Sequence, residues 1–324
     1  MRRRRYHAEA ACAAHAMNAT TEHAPAPVPA PDTGAAEAAC AAPPAIAALR
    51  THAVARHRIE HGGGVSIQAE PQVLASEVPI ALVFNGISHA VMMGTPSDLE
   101  DFALGFALTE GILDSAADCY GIEARAVAAQ AAGLPAGMDG IEVQLDVASR
   151  CFARLKDRRR SMSGRTGCGV CGVDSFAALD LSFDPLPAHD WIARVDADTV
   201  CAAIAALPPL QLLNAEAGAV HAAGWAGLDG QLTDVLEDVG RHNALDKLVG
   251  RLSRTGRLGE AGFVVLSSRG SHELVRKCAK VGIAALATIS APTAMGVQMA
   301  ELTGLRFWGL CRPPKAVLYA PGRI

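Results

Sequence analysis

Aromatic residues are scarce. Three Trp, three Tyr and eight Phe make up 4% of 324 residues, so the core has to be built from Ala, Val, Leu and Ile, in a chain that is 50% hydrophobic. An excess of one charge is missing too. Against 33 Asp and Glu stand 29 Lys and Arg, for a net charge of −4 and a pI near 6.3. That balance excludes a surface built as a whole to hold nucleic acid or an anionic membrane. No apolar run approaches the ~20 residues that cross a bilayer. Nor is there an even, dense set of cysteines. The nine present are thinly spread, which excludes a secreted disulfide scaffold and implies reduced thiols in a cytoplasmic setting. Cys119, Cys151, Cys201 and Cys278 stand among apolar neighbours and read as small core residues.

The length allows one large or two modest domains. Residues 1–52 are Ala- and Pro-rich without helical or strand period, and read as a disordered tail. Arg2 to Arg5 lead into no apolar segment, so an export signal is not expected. Ile80–Phe84, Asn85-Gly86 and Ile87–Met93 predict a hairpin on an Asn-Gly turn. Thr95 as N-cap and Pro96 at the first helical position predict a helix carrying Leu99, Phe102, Ala103 and Phe106 and ending at Gly111. Ile141, Val143, Leu145 and Val147 alternate with polar residues, as in a half-buried strand.

The last third alternates most regularly. Strands are predicted over 262–267, 283–289 and 305–310. Helices are predicted over 271–281 and 293–303, the second with Met295, Met299 and Leu302 inward. Strands joined by helical crossovers form a parallel sheet, so the fold class is α/β.

Two stretches carry chemistry. Gly167-Cys168-Gly169-Val170-Cys171-Gly172 follows Arg158–Arg160 and Arg165, and four glycines between 164 and 172 predict a flexible loop. A lone pair of thiols three residues apart lacks the further ligands of structural zinc. It is also too glycine-rich for a thioredoxin-like helix start. Positive charge favours the thiolate, and glycine gives reach, so sulfur relay is the reading that remains. The second stretch is the set of polar strand tips, where open parallel sheets bind ligands. Ser267, Arg269 and Ser271 follow the first strand, Thr293 the second, and Cys311 and Arg312 close the third. Two arginines and two helix starts suit a phosphate or diphosphate. The polar run Glu237–Leu248 is either a functional loop entering a helix or a buried ion-pair network joining two layers.

These segments together resemble the formate dehydrogenase accessory sulfurtransferase family (FdhD), over residues 54–324. The matching motifs are the Cys168–Cys171 loop, Asp238–Lys247, Ser267–Ser271 with Glu273, Val275 and Lys277, Ser290–Thr293 and Gly309–Arg312. The resemblance implies a cytidine-deaminase-like three-layer core at 191–324 that binds cofactor. A smaller N-terminal α+β subdomain at 53–190 would end in the CxxC loop. It implies that Cys168 takes persulfide sulfur from a cysteine desulfurase, with Cys171 as second thiol. It also implies that the protein sulfurates the molybdenum bis(molybdopterin guanine dinucleotide) cofactor for formate dehydrogenase. That cofactor would be the bound substrate, and a guanine nucleotide would be its mimic. Phe307, Trp308, Gly309, Leu310, Cys311 and Arg312 match the cofactor-binding stretch, with Ser267, Arg269, Ser271, Thr293 and His221 completing the expected contacts. Partners would be the desulfurase, formate dehydrogenase and a second copy of the chain; neither a metal, a nucleic acid nor a membrane is expected. A chaperone that holds the cofactor without sulfur chemistry is the alternative. Base deamination is not supported, because His221-Ala222-Ala223 lacks the required glutamate.

Overall fold

The computed structural model describes residues 46–61, 63–160 and 184–324. These lie within one clustered unit, Ala42–Ile324. The chain enters through β1 (Leu49–Ile59) and β2 (Val65–Ala75), a two-stranded antiparallel ribbon. The first four residues of β1, Leu49 to His52, therefore lie inside the stretch assigned to the tail. Directly opposed residues share a face of such a ribbon. The register Ile59↔Val65, His57↔Ile67, Ala55↔Ala69 and Ala53↔Pro71 gathers an apolar face. The intervening pairs Arg58↔Ser66, Arg56↔Gln68 and His52↔Gln72 gather a polar one.

Two residues later the chain forms β3 (Val78–Phe84) and β4 (Ile87–Gly94), the hairpin that Asn85-Gly86 predicts. After α1 (Leu99–Thr109) come β5 (Cys119–Val127), the single turn α2 (Ala129–Ala132), β6 (Gly140–Val147) and α3 (Ser149–Arg160). The four strands form a sheet in the order β4-β3-β6-β5. In β6, Ile141, Val143, Leu145 and Val147 are all buried, as their alternation requires. The start of α1 is a correction. Its N-cap is Asp98 in the left-handed region (φ 49°), not Thr95. Thr95 is instead held across the molecule, its amide donating to Asp238 Oδ2 at 2.9 Å and its hydroxyl accepting from the Val239 amide at 3.1 Å. A long-range carboxylate has overridden a local capping preference.

The second part runs α4 (Ala197–Ala206), α5 (Leu212–Ala217), β7 (His221–Ala226), β8 (Leu232–Asp238), α6 (Arg241–Arg254), β9 (Phe263–Leu266), α7 (His272–Lys280), β10 (Ala285–Thr288), α8 (Ala294–Thr303), β11 (Arg306–Arg312) and β12 (Lys315–Pro321). Its six-stranded sheet has the order β12-β11-β10-β9-β7-β8. β9, β10 and β11 are parallel, as their helical crossovers require, and the flanking pairs are antiparallel. The chain is thus α/β with mixed sheets. On α8 only Met299 points inward at 3% exposure; Met295 (40%) and Leu302 (57%) face outward, against expectation. The helix offers the core a narrower stripe than the spacing suggests, because Gly296 and Ala300 fill the other inward positions. Cys151 and Cys278 are core residues as expected, whereas Cys119 and Cys201 are only half-buried.

The two sheets are joined where α1 crosses α6. Glycine decides how close the helices come. A Cβ on Gly105 would lie 1.7 Å from the carbonyl oxygen of Asp246, and one on Gly250 would lie 1.9 Å from that of Asp101. Around this contact Arg251 and Arg254 bind the buried Asp101 carboxylate at 2.7 and 2.9 Å. Gly105→Ala forces the backbones apart in a packed core, and such overpacking costs about 1–3 kcal/mol or more. Urea unfolding of that variant will show a lower midpoint; an unchanged midpoint would refute the close-contact role.

Candidate functional site

The polar run 237–248 resolves into the buried network. Asp238 is fully buried, and its carboxylate accepts from the amides of Thr95 and Gly240, from Asn243 Nδ2 at 3.0 Å and from Lys247 Nζ at 2.8 Å. Lys247, also fully buried, donates further to the carbonyls of Thr95 and Glu237 and to the Ser97 hydroxyl. Asn243 reaches back to the carbonyl of Met93 at 2.8 Å. Every polar atom of this pair is answered, which is the condition under which buried charge is tolerated. A second network lies one turn further along. Lys277 Nζ binds Asp246 at 2.9 Å, Glu110 at 2.8 Å and the Thr109 hydroxyl at 2.9 Å. Burial opposes the charge on Lys277, but the two carboxylates outweigh it and hold its pKa above the ordinary lysine value. Burial likewise opposes the charge on Glu110, which Lys277 and Arg276 nevertheless hold below the usual carboxylate range.

These networks fix the first turns of α6 and α7 against the strand tips. β7 runs antiparallel to β9 with Ala223 opposite Leu266, so His221 lies at the edge where β9 ends, and it pairs with Asp238 in β8. Burial, then the nearby Arg241, pushes the His221 pKa down. His242 on α6 meets Glu273 on α7 at 3.3 Å, and the Ser271 hydroxyl donates to the same carboxylate oxygen at 2.9 Å. His242 together with Ser271 brings Glu273 down from 4.5 to about 2, against the cost of its burial. No local pattern signals this pair, since its members are 31 residues apart on two helices.

The three parallel strands end in one row. The Thr293 amide donates to the carbonyl of Gly270 at 2.9 Å, Gly270 bridges to Pro292, and the Leu310 amide donates to the carbonyl of Ser290 at 3.2 Å. A side chain at Gly270 would strike the Phe307 ring at 2.3 Å, which explains a glycine in this loop. Several of the residues expected to meet a ligand are already engaged. Ser267 Oγ accepts from the Ala222 amide at 2.8 Å, and Thr293 Oγ1 caps α8 through the Gly296 amide. Ser271 begins α7 but gives its hydroxyl to Glu273 rather than to the helix. Phe307, Trp308 and Cys311 are buried, with Trp308 Nε1 donating to the carbonyl of Val195 at 3.0 Å.

What the edge presents outward is Arg269, Leu310 and Arg312. Among the described residues neither Arg269 nor Arg312 enters an ion pair. Leu310 stands in the left-handed region (φ 51°) beside a register shift between Gly309 and Arg312. For a leucine that is a strained conformation, of the kind found at ligand-binding positions. Both guanidiniums thus face outward at the ends of parallel strands, open to a charge-assisted contact. Sequence reasoning finds these residues by position, but not the strain at Leu310, which no single residue type announces.

The loop that carries Cys168 and Cys171 lies outside the described residues. The five cysteines inside them are all muted. Burial pushes Cys278 and Cys311 up to about 12, and Cys119 and Cys201 above the ordinary thiol value. Cys151 is fully buried. Asp114, Asp118 and Cys151 converge closely enough to consider a metal, but Arg150 and Arg154 already occupy the two carboxylates.

The family model described as FdhD/NarQ family matches residues 75–324. A protein named Sulfur carrier protein FdhD from Chromobacterium violaceum is 50% identical over 246 residues, covering 76% of this chain and 87% of its own. The protein of that name from Burkholderia mallei is 49% identical over 246 residues, covering 76% and 88%. The one from Bordetella parapertussis is 46% identical over 264 residues, covering 81% and 91%. Among solved structures, one described as a formate dehydrogenase accessory protein, from Desulfotalea psychrophila, superposes with a TM-score of 0.57. It is 22% identical and covers 83% of this chain and 96% of its own; at that identity it speaks for the fold alone.

The His242–Glu273 pair gives a sign for pH. A carboxylate held at about 2 rather than 4.5 contributes stability that is complete above pH 4.5 and is lost as pH falls through 2. The stability difference between the wild type and Glu273→Gln, from urea unfolding, should therefore be largest at pH 6 and shrink below pH 4.5. A difference that stays constant over that window would show that Glu273 is not held by its neighbours.

Proposed function

Because the chain belongs to the FdhD/NarQ family, we propose that it carries sulfur on Cys168 to a nucleotide-bearing molybdenum cofactor during formate dehydrogenase maturation. The observation that carries this reading is the muting of every described cysteine. A sulfur carrier needs an accessible thiolate, and Cys119, Cys151, Cys201, Cys278 and Cys311 are each buried or shifted upward. Cys168 and Cys171, flanked by glycine and with arginines before them in sequence, lie outside the described residues, and it is their match to the family motif that singles them out.

In the proposed step the Cys168 thiolate attacks the outer sulfur of a cysteine desulfurase persulfide. The old S–S bond breaks, the desulfurase leaves as its thiolate, and Cys168 holds the persulfide. The Cys171 thiolate then attacks the inner sulfur of that persulfide: a Cys168–Cys171 disulfide forms, the bond to the outer sulfur breaks, that sulfur leaves as hydrosulfide toward the cofactor, and a dithiol reductant returns the pair to thiols. The cofactor, molybdenum bis(molybdopterin guanine dinucleotide), is the substrate. Its diphosphates would be met by Arg269 and Arg312, the outward arginines after β9 and at the end of β11, a reading supported by their exposure and lack of an ion pair among the described residues. A cytidine-deaminase-like core belongs to the same reading. The mixed six-stranded sheet, with parallel β9, β10 and β11 joined through α7 and α8, supports it.

Incubation with a desulfurase and cysteine should add ~32 Da, one sulfur, to the intact mass, removable by a thiol reductant. Cys168→Ala should abolish both the gain and formate dehydrogenase activity, while a maleimide at neutral pH leaves Cys278 and Cys311 unlabelled in the native protein. Full activity in Cys168→Ala would favour the chaperone that binds cofactor without chemistry. Losing a charge-assisted contact to phosphate costs about 1.5–3 kcal/mol, so Arg312→Ala should weaken guanosine diphosphate binding at least about tenfold by calorimetry. Unchanged affinity would remove Arg312 from the site.

A further inference from the structure

The run from Glu237 to Lys247 spends nearly all of its charge inside the fold. Asp238 and Lys247 answer each other, Asp246 is bound by Lys277, Glu237 accepts from the Leu213 and Asn214 amides, and His242 meets Glu273. Arg241 is left over. Among the described residues it enters no ion pair, and its Nε is buried without a hydrogen-bond partner. A buried donor left unpaired in a native structure calls for a physical reason, and an ion bound there is one.

Helix position adds a second cost. Arg241 is the first residue of the 14-residue α6, whose first turn holds no acidic residue and whose N-cap, Gly240, offers no side-chain bond. The N-terminus of a helix is the positive end of its dipole, where a cation is unfavourable. Nearby charge does not compensate. His221 is close enough for Arg241 to push its pKa down. The two carboxylates of this corner are taken, Asp238 by Lys247 and Glu273 by His242 and Ser271. An arginine that gains nothing from the helix, the histidine or a carboxylate is placed to meet an anion from outside the chain.

We propose that Arg241 is a phosphate-binding residue of the strand-tip edge, where it takes a diphosphate group. β8 runs antiparallel to β7, and β7 antiparallel to β9, so β8 ends at the same edge as β9. Arg241 follows Asp238, the end of β8, by three positions, as Arg269 follows Leu266, the end of β9. In the sheet β8 stands two strands from β9, and β9 two strands from β11, which ends in Arg312. At about 4.8 Å per strand, the three arginines leave the backbone about 10 Å apart along one row. The His242–Glu273 contact at 3.3 Å ties the start of α6 to the start of α7, and so Arg241 to the loop that carries Arg269. The assignment rests on the cofactor reading above: a ligand with two diphosphates brings more negative charge than Arg269 and Arg312 carry, and Arg241 is the next cation in the row.

Calorimetry of the full chain with guanosine diphosphate and with inorganic pyrophosphate tests this. Arg241→Ala should weaken both at least about tenfold, and Arg241→Lys, which keeps the charge but not the planar fork, should recover part of the loss. Unchanged affinity of Arg241→Ala for either probe overturns the inference. Urea unfolding separates binding from folding. Because the charge is unfavourable at the start of α6, Arg241→Ala should keep or raise the midpoint without ligand. A lowered midpoint would show that Arg241 serves the fold, and overturns the inference. Affinity lost in Arg312→Ala but kept in Arg241→Ala overturns it alone, whereas a wild type that binds neither probe overturns it together with the cofactor reading. Sulfur loading of Cys168 is read separately by mass and depends on neither outcome.

Discussion

One buried ion pair holds the site together. Asp238 ends β8, Lys247 sits two turns into α6, and between them they bind the Thr95 segment that links the small sheet to α1. A carboxylate and an ammonium are stable at such depth only if their hydrogen bonds are complete. Removing one partner from such a pair typically costs about 3–5 kcal/mol, because the other charge is stranded. The constraint is geometric as much as energetic. It fixes the first turn of α6 next to His221 and, through His242, next to the first turn of α7. The glycine contact between α1 and α6 makes this possible by letting two backbones approach where any side chain would separate them.

The sheet edge that results divides its polar groups between two tasks. Ser267, Ser271 and Thr293 spend their hydroxyls inside the protein, on an amide, a carboxylate and a helix cap. Arg269 and Arg312 stay outward. With those hydroxyls committed, the two guanidiniums are the charges this edge turns outward. The same economy holds for sulfur. Burial disarms Cys278 and Cys311, which keeps sulfur chemistry away from thiols that serve packing.

Much of this was legible before any coordinates. The alternation of Ile141 to Val147, the Asn85-Gly86 turn and the strand–helix rhythm after residue 262 are local signals, and each produced the expected element. Where reading failed, a distant group had intervened. Thr95 looks like an N-cap, yet Asp238, 143 residues away, takes its amide. Met295 and Leu302 fit a helical stripe, yet the inward side of α8 is filled by Gly296, Met299 and Ala300. The Glu237–Leu248 run left two readings open, because a string of charges does not say what faces it.

The sequence by itself determined the element types, the parallel order of β9, β10 and β11 and the two cysteines set apart by glycine, because propensity, period and crossover length act over short stretches of chain. Only the tertiary structure decided which polar residues are consumed by the fold and which face outward. It also decided that Leu310 is held in a left-handed conformation and that the apolar side of the ribbon faces solvent. Those outcomes depend on which groups the packed elements bring together, and on desolvation, whose cost is set by the whole surrounding volume.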